Sequence, residues 1–207
     1  PREDLLTTIA NATLGEKPLS QSYLDGSWLL IIFAGNDTTR NSLSGTIRLL
    51  TQFPEQRKMV LDDPSLIERM SHEALRMVSP VMHMRRTATE DAELAGQRIA
   101  KDEKVIMWYG AANRDPAVFP DPDHFNMLRD HVDKHLAFGH GAHRCLGNRV
   151  AQLQLKMAYE RILERFPNIH WTGKQKIEPI ILVHAISSLQ VNLYGKDGKR
   201  PVMVAAS

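Results

Sequence analysis

Phe138-Gly139-His140-Gly141-Ala142-His143-Arg144-Cys145-Leu146-Gly147 is the stretch on which the reading of this chain turns. Two glycines precede the sole cysteine and a third follows it. Glycine admits positive φ and lets a large flat ligand approach the backbone closely. Just beyond, Leu146, Val150, Leu153 and Met157 recur at helical spacing, which predicts a helix from about Gly147 to Phe166, stopped by Pro167. A helix N-terminus favours an anion, and its backbone N–H groups can hydrogen-bond a thiolate. Such a loop suits a thiolate that must stay an anion while binding a metal. The same residues also suit a glycine-rich turn around a small buried thiol.

Composition narrows the class. The 207 residues are 43% hydrophobic and 24% charged, the profile of a soluble globular chain rather than a disordered one. Lys+Arg 26 against Asp+Glu 24 leaves a net charge of +2 with no basic block, which argues against nucleic acid as a partner. One cysteine excludes an internal disulfide framework and any multi-cysteine zinc or iron–sulfur site within the chain. The N-terminus, Pro1-Arg2-Glu3-Asp4, has no apolar signal core behind it. The longest apolar run, Trp28 to Ala34, is far short of a bilayer span, so no membrane anchor is expected and the chain reads as cytoplasmic. A start directly on Pro1 points to a missing upstream piece.

Working outward, helical patterns dominate both ends. Leu5, Leu6 and Ile9 predict a short helix ending near Gly15 and Pro18. Ser20 or Ser22 is placed to cap a long helix that runs through Gly35 and Leu50 to just before Pro54. A short helix over Glu55 to Leu61 follows. Pro64 then opens another, with Leu66, Met70, Ala74 and Met77 on one stripe. Short strands are expected over Arg85 to Ala88, Ala95 to Ile99 and Lys104 to Tyr109. The Pro-rich stretch Asp115 to Asp123 reads as irregular, and Ile180 to Val183 with Leu189 to Tyr194 as paired strands. The expected class is mainly α with a small β region.

The stretch around Cys145 matches F-x-x-G-x-H-x-C-x-G at every fixed position, and so resembles the heme-binding signature of the cytochrome P-450 family. Two further motifs stand upstream in the family's order. Ala34-Gly35-Asn36-Asp37-Thr38-Thr39 resembles its oxygen-activating segment, and Glu73-Ala74-Leu75-Arg76 its E-x-x-R pair. The resemblance implies that residues 1–207 form the C-terminal heme-binding part of one P-450 domain whose N-terminal part is missing. It implies heme b as cofactor, with Cys145 as the axial thiolate and Phe138, Gly139 and Gly147 shaping its loop. A thiolate ligand pushes electron density onto iron and favours O–O cleavage. His143 and Arg86 would bind heme propionates. Arg85 is adjacent, but strand alternation points the two side chains oppositely, and Arg86 is the better match. Ala34 and Gly35 would leave room for dioxygen. Asp37 and Thr38 would relay the two protons that heterolytic O–O cleavage requires. Glu73 and Arg76 would stabilise the heme-side core. The third partner of that pair is usually an arginine in the family; here His124 stands at its place, within Pro122-Asp123-His124-Phe125.

The activity implied is insertion of one oxygen atom from O2 into a C–H bond of a hydrophobic substrate. Leu30, Phe33, Val81, Met82, Val183 and Ile186 match pocket positions and are all apolar. Gly35 to Asn41 and Met84 to Ala88 resemble a bacterial branch acting on alkanes, fatty acyl chains, terpenoids or sterol side chains. Among these a medium-chain aliphatic substrate is expected. Arg144, Arg149 and Lys134 would dock an acidic electron donor of ferredoxin type. Three rival readings are a fragment that holds no heme, a peroxide-driven or heme-binding-only relative, and a mononuclear metal site among His124, His131, His135, His140 and His143. Only His131/His135 has the i,i+4 spacing that such a site would use on a helix.

Overall fold

Asp4 starts the first element, because its carboxylate accepts the Thr7 N–H at 2.7 Å and so caps α1 (Leu5–Ala10). A hairpin of β1 (Thr13–Leu14) and β2 (Lys17–Pro18) follows, turned at Gly15 with φ 65. Strands of two residues are too short for any alternation to announce them, so sequence predicts only the helix stop. Ser20 is the residue that precedes α2 (Gln21–Gln52) and accepts the Tyr23 N–H, at 3.3 Å. The computed structural model describes residues 2–195, which resolve into two units divided between Asp37 and Thr38. The first holds α1, the hairpin and the opening part of α2.

In the second unit, the remainder of α2 buries Asn41, Ser42, Gly45, Thr46, Leu49 and Leu50 along one face. Pro54 opens α3 (Pro54–Asp62), and a 3-10 turn at Pro64–Leu66 leads into α4 (Ile67–Val78). α4 buries Ile67, Met70, Ala74, Leu75 and Val78. The expected stripe therefore shares Met70 and Ala74, while Leu66 and Met77 sit at its edge. Ser79 ends the helix in the left-handed region, φ 43, directly before Pro80.

β3 (His83–Thr87) pairs antiparallel with β6 (Lys104–Trp108), placing Arg86 opposite Val105. Between them β4 (Ala92–Leu94) and β5 (Gln97–Ile99) form a hairpin. Ala95 (φ 51) and Gly96 (φ 79) are its turn, so the strand expected over Ala95 to Ile99 starts two residues later. α5 (Tyr109–Ala112) follows. The chain then runs to Gly147 with only two 3-10 turns, Val132–Lys134 and Gly141–His143.

α6 (Asn148–Arg165) is the predicted helix, but its inner face is Leu155, Tyr159 and Leu163. Leu146, Val150, Leu153 and Met157, the stripe that announced the helix, are all exposed. β7 (His170–Glu178) and β8 (Ala185–Asn192) close the described chain as an antiparallel pair. Residues 180–183 are the connection and not a strand. Pro179 precedes them, and only Val183 makes an isolated bridge, to Val81. The core gathers Leu49, Leu50, Val60, Met70, Phe125, Leu155 and Tyr159. Each such side chain stabilises by roughly 1.5–3 kcal/mol when fully buried. The class is mainly helical with small antiparallel sheets. Among the described residues no helix is long and apolar enough to cross a membrane.

Candidate functional site

The segment from His135 to Gly147 folds back on itself. Cys145 N–H donates to Phe138 O at 2.8 Å, Gly139 N–H to Leu136 O at 2.9 Å, and Arg144 N–H to Gly141 O at 3.0 Å. Gly139 and Gly141 both have φ +68, so the two glycines are there for backbone reasons. Phe138 is half-buried against the core and anchors the start of the loop. The Cys145 carbonyl accepts from Asn148 Nδ2 at 2.7 Å, while the residue itself is exposed. Gly147 supplies no side-chain cap to α6, which leaves first-turn N–H groups of the helix close in sequence to the thiol. His143 is exposed in the 3-10 turn. Arg86 is exposed on β3, with Nη1 donating to Arg85 O at 3.0 Å.

Behind this loop lies a buried ionic anchor. Arg76 and Glu73 are fully buried one turn apart on α4 and pair in two bonds of 2.8 Å, Nε to Oε2 and Nη2 to Oε1. The other three Arg76 N–H groups reach the carbonyls of Asn113 (2.8 Å), Pro122 (2.8 Å) and His124 (3.3 Å). All five guanidinium donors are thereby used. The third ionic partner is Arg129, whose Nε donates to Glu73 Oε1 at 3.3 Å. It also donates to the carbonyls of Pro120, Asp121 and His124. This corrects the expectation for His124: it contributes its carbonyl, while its ring packs edge-on against Phe53, 5.1 Å between centroids. Two arginines and one glutamate would leave an uncompensated buried cation, and the ring of carbonyls answers it.

Asn113, fully buried, carries the anchor to the loop. Its Nδ2 donates to Ser79 Oγ at 2.9 Å, and its Oδ1 accepts the Leu136 N–H at 2.6 Å. Neither Asn113 nor Arg129 is legible from sequence spacing. The one available signal was that Arg129 is an arginine five residues beyond His124 in an otherwise irregular stretch.

The remaining candidates fall in both units. Leu30, Phe33, Ala34, Gly35 and Asp37 lie on the part of α2 that belongs to the first unit, Leu30 and Phe33 both exposed. Thr38 opens the second unit, and its carbonyl accepts from Ser42 Oγ at 2.8 Å. Val81 and Val183 are brought together by their bridge, beside Met82, whose N–H donates to Leu182 O at 3.0 Å. Ile186 is buried, and Asn41 Oδ1 accepts its N–H at 2.8 Å. No three His, Cys, Asp or Glu residues among those described are grouped to hold a metal ion. His131 is exposed, whereas His135 is buried against His72.

The donor set fits a heme. A single exposed thiol stands at a helix start, exposed apolar side chains (Leu146 and Val150) follow it in the chain, and His143 and Arg86 offer exposed basic groups for carboxylates. The family model described as Cytochrome P450 matches residues 2–191. Linalool 8-monooxygenase of Pseudomonas putida is 39% identical over 196 residues, 95% of this chain and 48% of that protein. Cytochrome P450-153 from Novosphingobium aromaticivorans superposes with a TM-score of 0.79 at 42% identity, over 87% of this chain and 44% of that one. A post-tailoring hydroxylase of himastatin biosynthesis superposes at 0.87 with 34% identity, over 92% and 52%. The chain therefore spans about half the length of the relatives it matches.

Proposed function

Because the chain belongs to the cytochrome P450 family, we propose that it forms the thiolate side of a heme-dependent monooxygenase acting on a hydrophobic substrate. The observation that carries this reading is the exposed Cys145, held at the start of α6 by a loop that its own amide closes. Bound heme b would supply the iron at which dioxygen, reduced by two electrons, is split between substrate and water.

The chain's own residues do the rest. Cys145 ligates the metal as an anion, and the open N–H groups at the start of α6 favour that charge. His143 and Arg86 bind the propionates. Thr38 holds a proton at Oγ1 and passes it on, being both donor and acceptor, and Asp37 replenishes it through its carboxylate. Glu73, Arg76 and Arg129 touch no reacting atom. They brace the irregular segment from which the cysteine loop emerges.

The linked pair Val81 and Val183, with Met82, offers apolar contact, which supports a substrate oriented by shape. A terpenoid oxygenase among the relatives agrees with that class, and we favour a medium-chain aliphatic compound. Arg144, Arg149 and Lys134 are exposed and suit an acidic ferredoxin-type donor, and a cytoplasmic reaction is part of this proposal. Turnover of the heme-loaded protein under isotope-labelled dioxygen, with reduced ferredoxin, tests the proposal. One labelled atom is expected in the product, and Thr38→Ala is expected to divert reducing equivalents to peroxide. Product formation from peroxide but never from ferredoxin would overturn it.

A further inference from the structure

His72 and His135 take no part in the chemistry above, yet they meet in the interior beside the cysteine loop. His135 is 6% exposed and His72 half-buried, with His72 Nδ1 and His135 Nε2 3.2 Å apart. His135 Nδ1 accepts the Ala137 N–H at 3.2 Å. A backbone amide only donates, so Nδ1 of His135 is bare and its Nε2 carries the proton. That proton is donated to His72 Nδ1, which leaves the His72 proton on Nε2. Both tautomers follow from one amide.

The pair reaches the cysteine in two steps. The His135 ring packs on Phe138 at 5.7 Å between centroids, and Phe138 O accepts the Cys145 N–H. The charged groups facing the pair are Glu68, Arg69 and Arg76 from α4, Asp133 from the 3-10 turn, and Arg144 from the loop. Burial outweighs the two acids: it lowers His72 and pushes His135 down to about 3, with the second histidine adding to the effect.

We propose that the neutral His72–His135 pair is a positioning device for the cysteine loop, fixing the Ala137 amide and the Phe138 ring and through them the backbone that presents Cys145. The inference rests on the heme-thiolate reading. Acid undoes the device by geometry: a proton on His135 Nδ1 opposes the Ala137 N–H, and one on His72 Nδ1 opposes the His135 N–H.

The test uses heme-loaded protein, wild type and three variants, with two readouts. One is the fraction showing a thiolate-type band in the reduced-plus-CO spectrum across pH, the other amide hydrogen exchange over residues 136–146. His135→Asn keeps an acceptor where Nδ1 was; His135→Leu removes it; His72→Phe removes only the partner. His135→Leu is expected to lose most of the thiolate-type band at neutral pH and to exchange more than about tenfold faster. His135→Asn is expected to retain the band, with its acid loss moved to lower pH than in wild type. If His135→Leu does not fold, His72→Phe decides, being expected to speed exchange over the same residues. Variants identical to wild type in both readouts, or His135→Asn no better than His135→Leu, would overturn the pair's role. Absence of the thiolate-type band from wild type would instead refute the heme reading, and this inference with it.

Discussion

Arg76, itself fully buried, directs two N–H groups at Glu73 and three at the carbonyls of Asn113, Pro122 and His124. Removing one member of such a buried pair strands the other charge, which costs about 3–5 kcal/mol. Arg76→Ala is therefore expected to lower the unfolding free energy by that amount in a urea titration, or to prevent folding. A finer comparison separates the third partner from its neighbour. Arg129→Ala should cost about 3 kcal/mol, since it leaves Glu73 and three carbonyls short of donors. His124→Ala should cost about 1 kcal/mol, the value of an aromatic edge contact, because its carbonyl survives the change. Equal losses would contradict the assignment. Glu73 and Arg76 were legible because i,i+3 spacing brings them together on any helix. Arg129 was not, because the path of a Pro-rich connection is set by tertiary packing and leaves no period in the sequence.

Between elements, the close approach of α2 and α4 depends on Gly45. A Cβ there would lie 2.5 Å from Val78 Cγ2, nearer than packing allows. Alanine gains about 1 kcal/mol of helix propensity over glycine, but an overpacked contact costs about 1–3 kcal/mol. Gly45→Ala is therefore expected to be neutral to destabilising in thermal unfolding. Val78→Ala, destabilising alone, should cost less in its background, a coupling that a double-mutant cycle would measure. α2 and α6 are joined differently: Tyr159, fully buried, has its hydroxyl 2.6 Å from Thr46 Oγ1 and 3.3 Å from Ser42 O. Tyr159→Phe should cost about 1–2 kcal/mol in urea unfolding, a loss that shrinks when Thr46 is already valine and only the Ser42 carbonyl is left to the hydroxyl. Helix existence along the chain was readable from period and prolines, but which face of α6 is inner was not. Both of its faces carry apolar residues at helical spacing, and only the partners choose between them. The last hairpin was misplaced for a related reason: the most apolar run, 180–183, crosses between strands, whereas His170–Glu178 is largely exposed and polar.

At the scale of the molecule, acid stability reflects the histidines. His135 titrates near 6.5 when unfolded but at about 3 in place, and His72 is also lowered. Between those values the unfolded chain binds more protons, so stability is fully present above about pH 6.5 and is lost as pH falls toward 3. The denaturant midpoint should drop between about pH 7 and about pH 4, and His135→Asn should reduce the drop. An equal drop in the variant would contradict the assignment. Three motifs in order were enough to identify the family from 207 residues, because each sits at a fixed local spacing that can be read without knowing the fold. Cys145 is the residue that would ligate the heme. Reconstitution with heme, reduction and exposure to carbon monoxide should give a thiolate-type Soret band in proportion to protein, abolished by Cys145→Ala. A protein without that band, or a band that survives Cys145→Ala, would contradict it.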